Sequence, residues 1–232
     1  VNFYTPNSRD DSLQPYGWAG KHWSSAVRTE HLATRASAGL FDESSFAKIH
    51  VMGEDCSEFL NYLCANDVVK GVGRTVYTQA LNSRGGIESD FTVTRLSEDE
   101  YMIVTGTAFG VHDIGWMGKV AREKNFNVSI ADITSSLACF GIWGPKSRDI
   151  LQSLTEYDMG IKNFPFMHSR EVVLGGVKIR ATRITYVGEL GWELYVPTEN
   201  GEVLWHHIIE AGRKFEMKVC GYRAIESLRL EK

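Results

Sequence analysis

One stretch of the sequence, YTQALNSRGGIESD at residues 77–90, limits the fold more than any other because it predicts a β-hairpin. The residues on both sides of its centre alternate between apolar and polar side chains, as strands do. Residues 82–86 separate the two alternating runs and are rich in turn-forming side chains. Gly85 and Gly86 can adopt the positive φ angles of such a turn without a steric penalty. The chain is therefore expected to contain a sheet of neighbouring antiparallel strands.

The predicted turn delivers Asp90 to the start of the next strand, beside Phe91 and Val93, which are expected to face the core. A carboxylate in apolar surroundings is either held by hydrogen bonds or kept available for chemistry. Taken alone, an aspartate after a turn is more often a simple acceptor for the turn or the strand start. Asp90 is a candidate functional residue whose role depends on the second half of the chain.

A second hairpin is predicted at Gly175 and Gly176, between strand-like residues 170–174 and 177–186. Apolar side chains at helical spacing predict helices at residues 25–40, 53–63, 109–124, 145–151, 199–213 and from 221 onward. Because the strands come in hairpins and the helices interrupt them irregularly, the predicted fold class is α+β with mainly antiparallel sheets. The last helical pattern continues to the final residues, so the sequence is expected to be part of a longer protein.

Composition excludes several classes of function. The net charge of −4 comes from 25 cationic and 29 anionic side chains mixed along the sequence, so no nucleic-acid surface is expected. No apolar run reaches membrane-spanning length, and the first residues lack a signal-peptide pattern. The four cysteines form no C-x-x-C pair, which indicates reduced, mostly buried thiols in a reducing compartment. The expected location is the cytoplasm, or the mitochondrial matrix in a eukaryote.

Metal and nucleotide motifs are not found in the sequence. His206 and His207 lack the i, i+4 spacing of a helical zinc pair, so no metal site is predicted. The glycines of residues 71–73 open no phosphate cradle, and no G-x-S-x-G occurs. Nucleotide binding and the common α/β-hydrolase chemistry are therefore not predicted.

The second informative stretch is TYVGELGWELYVP at residues 185–197, where two glycines flank Glu189 and Glu193 follows on a predicted strand. Taken alone, this stretch is weak evidence of a functional site, because glutamates near turns are usually exposed to solvent. It becomes specific in combination, since PYGWAGKHW, LNSRGGIESD, IWGPKSRD, YVGELGWELY and SLRLEK occur in this order over nearly the whole chain.

With these five motifs the sequence resembles the folate-binding family of glycine-cleavage aminomethyltransferases, and within it the folate domain fused to dimethylglycine and sarcosine dehydrogenases or oxidases. The resemblance implies a clover-leaf of three lobes around a folate channel. Residues 1–46 and 136–232 would form the first lobe, and residues 47–135 an inserted ferredoxin-like lobe. The family's barrel-like C-terminal lobe would follow residue 232, so it is missing from this sequence, as is any flavin domain.

The resemblance also implies a cofactor and five site residues. Tetrahydrofolate is the implied cofactor, and FAD would belong to a separate domain that this chain does not contain. Asp90 matches the catalytic aspartate, which would orient the folate amine and take up a proton. Glu193 matches the carboxylate that accepts hydrogen bonds from the pterin, with Tyr186 as its partner. Tyr77 and Val104 match residues that line the channel. Without the resemblance, these last four residues would be interpreted as ordinary core or strand-edge side chains.

The implied function is capture of the methyl-derived iminium or formaldehyde from an N-methylated amine such as dimethylglycine or sarcosine. The expected partners are folate, the methylated amine and a flavin domain, with neither nucleic acid nor membrane. Two alternatives stay open. One is a stand-alone aminomethyltransferase of the glycine cleavage system, and the other is a non-catalytic, regulatory folate-family module. Asp90 and Glu193 together argue against the second, since a pure scaffold would not need both.

One position departs from the family pattern. Ile225, in the run AIESLRLEK, stands where the glycine-cleavage enzymes carry a folate-contacting arginine. Arg223 and Arg229 are the nearby alternatives for that contact, although a helix can equally turn both outward. The flavoprotein branch tends to be apolar at this position, so the departure favours that branch.

Overall fold

The computed structural model describes residues 24–232, and the first of the five motifs, PYGWAGKHW, lies outside this range. The helices are α1 (Ser25–Ala36), α2 (Cys56–Leu63), α3 (Gly110–Lys124), α4 (Ser147–Gln152), α5 (Thr198–Gly212) and α6 (Tyr222–Arg229). The strands are β1 (Gly39–Asp42), β2 (Ala47–Met52), β3 (Thr75–Leu81), β4 (Ile87–Arg95), β5 (Glu100–Thr105), β6 (Ser129–Asp132), β7 (Leu137–Trp143), β8 (Ser169–Leu174), β9 (Val177–Thr182), β10 (Gly191–Pro197) and β11 (Lys218–Cys220).

The strands form two sheets. A six-stranded sheet has the order β11-β1-β7-β10-β9-β8, and a five-stranded sheet has the order β3-β4-β5-β2-β6. Neighbouring strands are antiparallel except for β1 and β11, which are parallel. The predicted α+β class with mainly antiparallel sheets is confirmed.

The five-stranded sheet has the ferredoxin-like succession β2-α2-β4-β5-α3-β6, with β3 added as an extra edge strand. Alternation along the strands turns one set of apolar side chains toward α2 and α3. There they form a core with helix residues such as Phe59 and Met117. The opposite face of this sheet is left for the six-stranded sheet.

The β3–β4 hairpin is closed by the side chain of Asn82. Its Oδ1 accepts hydrogen bonds from the backbone N–H groups of Arg84 and Gly86, both at 2.9 Å. Gly85 has a φ of +77°, which a residue with a Cβ rarely adopts. The turn predicted from the sequence therefore forms, and its backbone polar groups are satisfied within the loop.

The six-stranded sheet buries one face against α4 and α5, whose contact residues include Ile150, Leu204 and Ile208. On its other face, α6 packs Ile225 and Leu228 into a smaller cluster that contains Trp143. A third cluster joins the two sheets, where Met102 and Val104 of β5 meet Cys139 of β7 and Tyr195 of β10. The strands of the five-stranded sheet all lie within residues 47–132, inside the range 47–135 where the inserted lobe is expected.

Among the boundaries that differ from the sequence predictions, three concern the candidate site and the strands around it. The helix predicted at residues 25–40 ends at Ala36, because Gly39–Asp42 forms β1 between β7 and β11. Strand β4 begins at Ile87, so Asp90 lies inside the strand and not at its start. Strand β9 ends at Thr182, and Tyr186 lies in the loop before β10. Pairing with neighbouring strands sets these boundaries, and the partners of β1 are distant in the sequence, so local periodicity does not report that strand.

Candidate functional site

Tyr77 and Asp90 form a direct pair on the hairpin strands β3 and β4. The Tyr77 hydroxyl donates a hydrogen bond to Asp90 Oδ2 at 2.8 Å. Both side chains are exposed at the edge of the five-stranded sheet. Partial burial raises the pKa of Tyr77, and its bond to the Asp90 carboxylate raises it further. The structure therefore brings together two of the five residues predicted from the sequence.

The backbone beneath Asp90 is fixed although its carboxylate is exposed. The hydroxyl of the preceding residue, Ser89, donates to the buried Asp113 Oδ1 at 2.6 Å, which ties β4 to α3. Thr105 of β5 donates to the Asp90 carbonyl oxygen at 3.4 Å. A carboxylate on a fixed strand keeps its position while remaining accessible to a ligand.

A row of side chains runs from Tyr77 into the molecule. Tyr77 lies opposite Thr92, Thr92 opposite Val104, and Val104 opposite Lys48. Side chains that lie opposite each other in antiparallel neighbours share one face of the sheet. Asp90, two residues before Thr92, lies on that face as well. This face is the one that meets the six-stranded sheet, and the space between the two is called the intersheet region below.

Glu193 lies on the other side of the intersheet region, in β10, and is 7% exposed. Its carboxylate accepts a short hydrogen bond from the hydroxyl of Tyr195, two residues further along the same face. Burial raises the pKa of Glu193, while the Tyr195 bond and the positive charge of Lys48 oppose that rise. Tyr195 also packs in the same cluster as Val104. The buried part of the intersheet region therefore brings together Glu193, Val104 and Lys48.

Tyr186 is exposed near Tyr77 and Asp90, and the end of the intersheet region where these three side chains lie is called the mouth below. Two hydrogen bonds hold the loop that carries Tyr186. Trp143 Nε1 donates to the Ile184 carbonyl oxygen at 3.0 Å, and Arg35 donates to the Val187 carbonyl oxygen at 2.7 Å. Partial burial raises the pKa of Tyr186, and the nearby Asp90 charge adds to the rise while Arg229 lowers it. The Tyr186 ring therefore lies at the same open edge as the Tyr77–Asp90 pair.

Comparison with known proteins shows the family of the chain. The model of the GCVT N-terminal domain matches residues 1–232. The chain belongs to this family. It is 34% identical over 230 residues to the mitochondrial dimethylglycine dehydrogenase of Rattus norvegicus, which covers 99% of this chain. It is 37% identical over 217 residues to the aminomethyltransferase of Halalkalibacterium halodurans, which covers 93% of this chain.

The solved structure of the glycine cleavage system aminomethyltransferase T from Bartonella henselae resembles this GCVT domain with a TM-score of 0.77 at 30% identity. The similarity covers 88% of this chain and 54% of that one. The chain spans 26% of the rat dehydrogenase and 58% of the Halalkalibacterium enzyme. It is an aminomethyltransferase-type domain related both to dimethylglycine and sarcosine dehydrogenases and to aminomethyltransferases.

Helix α6 of this GCVT domain shows why Ile225 departs from the glycine-cleavage pattern. Ile225 is 1% exposed and packs against Phe41 and Trp143 in the core beneath the helix. An arginine here would need to leave this apolar cluster or bury its charge, which is costly. Arg229 is exposed and pairs with Glu226 at 2.8 Å, and Arg223 is exposed on the same helix.

Three buried polar side chains of the intersheet region, Lys48, Tyr195 and Glu43, are not among the residues that the sequence predicts. Strand alternation could have found Tyr195, because it lies two residues after Glu193. Nothing local marks Lys48 or Glu43, since their burial depends on contact between sheets that are distant in sequence. Lys48 is fully buried and donates to the Ser44 carbonyl oxygen at 2.9 Å.

Residues 24–232 hold no cluster of three or more histidine, cysteine, aspartate or glutamate side chains placed to bind a metal. No helix in the same range is long and apolar enough to cross a membrane. The four cysteines are unpaired and buried, as predicted. Two open surface clefts, along α3–β6 and beside the β8–β9 hairpin, contain none of the five predicted site residues.

Proposed function

We propose that this domain binds tetrahydrofolate in the intersheet region and uses it for one-carbon transfer. The observation that carries the proposal is the pair of carboxyl groups on the facing sheets, Glu193 buried and Asp90 at the mouth. Membership of the GCVT domain family supports it. In the specific role that we propose, the domain captures the methyl-derived iminium or formaldehyde from an N-methylated amine such as dimethylglycine or sarcosine.

The chain's own residues fit folate at the buried end. A carboxylate offers two acceptor oxygens, which match the adjacent N–H donors of an aminopyrimidinone. Glu193 supplies such a carboxylate, and Lys48 together with Tyr195 stabilises its ionised form. Val104 supplies an apolar wall in the same place. We assign Glu193, Val104, Tyr186 and Tyr77 to folate binding.

Asp90 is assigned to the chemistry at the open end. Tetrahydrofolate, when bound, supplies the amine nitrogen that takes up the one-carbon unit. The Asp90 carboxylate can orient that amine, stabilise positive charge beside it and accept a proton. The Tyr77 hydroxyl, which donates to Asp90 Oδ2, holds the carboxylate in one direction. A flavin for amine oxidation would belong to a separate domain, with this domain in the cytoplasm or the mitochondrial matrix.

A second candidate is a stand-alone aminomethyltransferase of the glycine cleavage system. The 37% identity to the Halalkalibacterium aminomethyltransferase favours it, and the buried Ile225 of α6 argues against it. A non-catalytic regulatory module would require neither Asp90 at the mouth nor Glu193 in the interior. The sequence of the full-length protein separates the first two, because a dinucleotide-binding fingerprint would mark a flavoprotein.

Folinate binding to the full-length protein tests the proposal. A ligand that binds the native state alone raises the melting temperature, so folinate should stabilise the protein. Glu193→Ala should remove most of this effect, since unpaired pterin donors lose about 1–3 kcal/mol of binding free energy. Glu202→Ala, at an exposed position of α5, is the control and should respond to folinate as the unaltered protein does. If saturating folinate leaves the melting temperature of the unaltered protein unchanged, the proposal is wrong.

A further inference from the structure

Glu43 is a buried carboxyl without a partner. It follows β1, is 1% exposed, and neither of its oxygens has a hydrogen bond to any residue in the range 24–232. Burying an unpaired carboxyl costs free energy, so a residue kept in this state needs an explanation. Its backbone is well held, because the Glu43 N–H donates to the Cys139 carbonyl oxygen at 2.9 Å. The backbone that carries the carboxyl is therefore fixed.

Gly141 shows where the Glu43 carboxyl lies. A Cβ at Gly141 would meet the ring of Trp143 first and would come within 2.7 Å of Glu43 Oε2, so the carboxyl lies beside that ring above Gly141. Gly141 lies directly opposite Glu193 on the neighbouring strand β10. Side chains at such opposite positions start about 4.5–5.5 Å apart. Glu43 and Glu193 are thus neighbours on the face of the six-stranded sheet that faces the intersheet region.

The two carboxyls differ in what stabilises their charge. Glu193 accepts a hydrogen bond from Tyr195 and feels the positive charge of Lys48. Burial raises the pKa of Glu43 well above its usual range, repulsion from Glu193 and Asp42 adds to this, and Lys48 opposes it. The titratable groups around Glu43 lie on β1, β7 and β10, on β2 of the facing sheet and on α6. They are Asp42, Lys48, Cys139, Glu193, Tyr195 and Tyr222. Two adjacent buried carboxyls cannot both ionise cheaply, and only Glu193 accepts a hydrogen bond from Tyr195, so we assign the proton to Glu43.

We propose that Glu43 is a second carboxyl that recognises the ligand. Glu193 accepts hydrogen bonds from the N–H groups of the aminopyrimidinone, and protonated Glu43 donates a hydrogen bond to its exocyclic oxygen. A 2-amino-4-oxopyrimidine presents two donors and one acceptor along one edge. An ionised carboxylate beside a protonated one presents two acceptors and one donor, which is the complementary pattern. This inference rests on the proposed folate site and adds the residue that recognises the 4-oxo group of the ligand.

Substitution of Glu43 in the full-length protein tests this, with folinate as the probe. Glu43→Leu should weaken folinate binding by about tenfold because the donor is lost. Glu43→Gln keeps an N–H donor that does not titrate, so it should bind folinate about as tightly as the unaltered protein at low pH. The affinity of the unaltered protein should fall as the pH rises through the pKa of Glu43, and that of Glu43→Gln should not.

A matched ligand pair identifies the group that Glu43 reads. Folate and aminopterin differ in carrying oxygen or an amino group at the 4-position. Folate affinity should fall with rising pH, whereas aminopterin affinity should hold or rise, because ionised Glu43 can accept from the amino group. An equal fall for both ligands would overturn the assignment to the 4-position.

The thermal stability of the ligand-free protein shows whether Glu43 recognises the ligand or has a structural role. The folded state raises the pKa of Glu43, so the unfolded state releases this proton first and stability falls as the pH rises between the two values. Ligand-free Glu43→Gln should therefore melt at the same temperature as the unaltered protein or higher, by a margin that grows with pH. If folinate binds in a Glu193-dependent way and Glu43→Leu binds it equally well, the inference about Glu43 is wrong and the folate site stands. If the unaltered protein does not bind folinate, both are wrong.

Discussion

Asp90 is the residue at which binding and chemistry can be separated. Asp90→Asn keeps the shape of the side chain and can still accept the Tyr77 hydrogen bond, but it cannot hold a negative charge or a proton. We expect the full-length variant to fold and to bind folinate, while formation of methylenetetrahydrofolate from the methylated amine falls by roughly 10²–10⁴-fold. Flavin reduction by the amine, which would occur in another domain, should barely change.

A purely structural Asp90 would give the opposite result. Loss of one hydrogen bond would lower the melting temperature by an amount worth about 0.5–1.5 kcal/mol and leave turnover per folded molecule intact. Asp149→Asn on α4 is the matched control, because Asp149 is exposed and pairs only loosely with Lys146 at 3.4 Å. Melting temperature, folinate affinity and product yield, measured on both variants, decide between the two roles.

The candidate residues differ in how far the sequence could predict them. Asp90 and Glu193 lie in the motifs LNSRGGIESD and YVGELGWELY, so the family resemblance points to both, although the turns alone do not single them out. Glu43 and Lys48 lie in the ordinary run FDESSFAKIHVM. Their role arises only when β7 and β10 bring Gly141 beside Glu193, and when β2 faces them from the other sheet. Contacts between segments about a hundred residues apart leave no mark in a local pattern.

At the scale of elements, Arg35 of α1 holds the Tyr186 loop and α6 together. Its guanidinium donates to the Val187 and Leu228 carbonyl oxygens at 2.7 and 3.0 Å. It also pairs with Glu189 and Glu231 at 3.2 and 3.1 Å. The planar guanidinium of arginine can donate hydrogen bonds to all these acceptors at the same time, which a lysine ammonium cannot do.

Arg35→Lys should therefore loosen the loop that positions Tyr186. We expect a loss of about 1–3 kcal/mol in stability, from unpaired, partly buried carbonyl groups, and weaker folinate binding. Turnover at saturating folate should stay close to normal, because Asp90 lies on a separate hairpin. The exposed Arg28 on the same helix provides the control, as Arg28→Lys. Unchanged folinate affinity in a destabilised Arg35→Lys protein would show that Arg35 does not position the site.

The β3–β4 turn and strand β1 show which element boundaries can be predicted from the sequence and which cannot. The β3–β4 turn is predicted because Asn82, Gly85 and Gly86 close it locally. Strand β1 is missed because its four residues become a strand only by pairing with β7 on one side and β11 on the other. Helix α1 accordingly ends earlier than its apolar spacing indicates.

At the scale of the whole molecule, the two sheets depend on each other electrostatically. Lys48 belongs to the five-stranded sheet, and its charge acts on Glu193 and Glu43 at the six-stranded sheet. Burial lowers the pKa of Lys48, while the surrounding acidic groups oppose that change. In the proposed site, the protonation states of Glu43 and Glu193 therefore depend on Lys48 from the other sheet. Such a site cannot be derived from one half of the sequence, because its groups lie in segments that only the fold brings together.

Lys48→Met tests this dependence between the sheets. Without the positive charge, the pKa values of Glu193 and Glu43 should both rise, because buried carboxylates lose the group that favours ionisation. Glu193 must be ionised to accept the pterin donors, so folinate affinity near neutral pH should fall by about tenfold, equivalent to about 1.4 kcal/mol. The whole pH profile of binding should move to higher pH, and affinity should recover as the pH rises. Lys178→Met, at an exposed position of β9, should leave the profile in place. A Lys48→Met protein that loses affinity equally at every pH would mean that Lys48 contributes packing, and that the protonation of Glu193 is set within its own sheet.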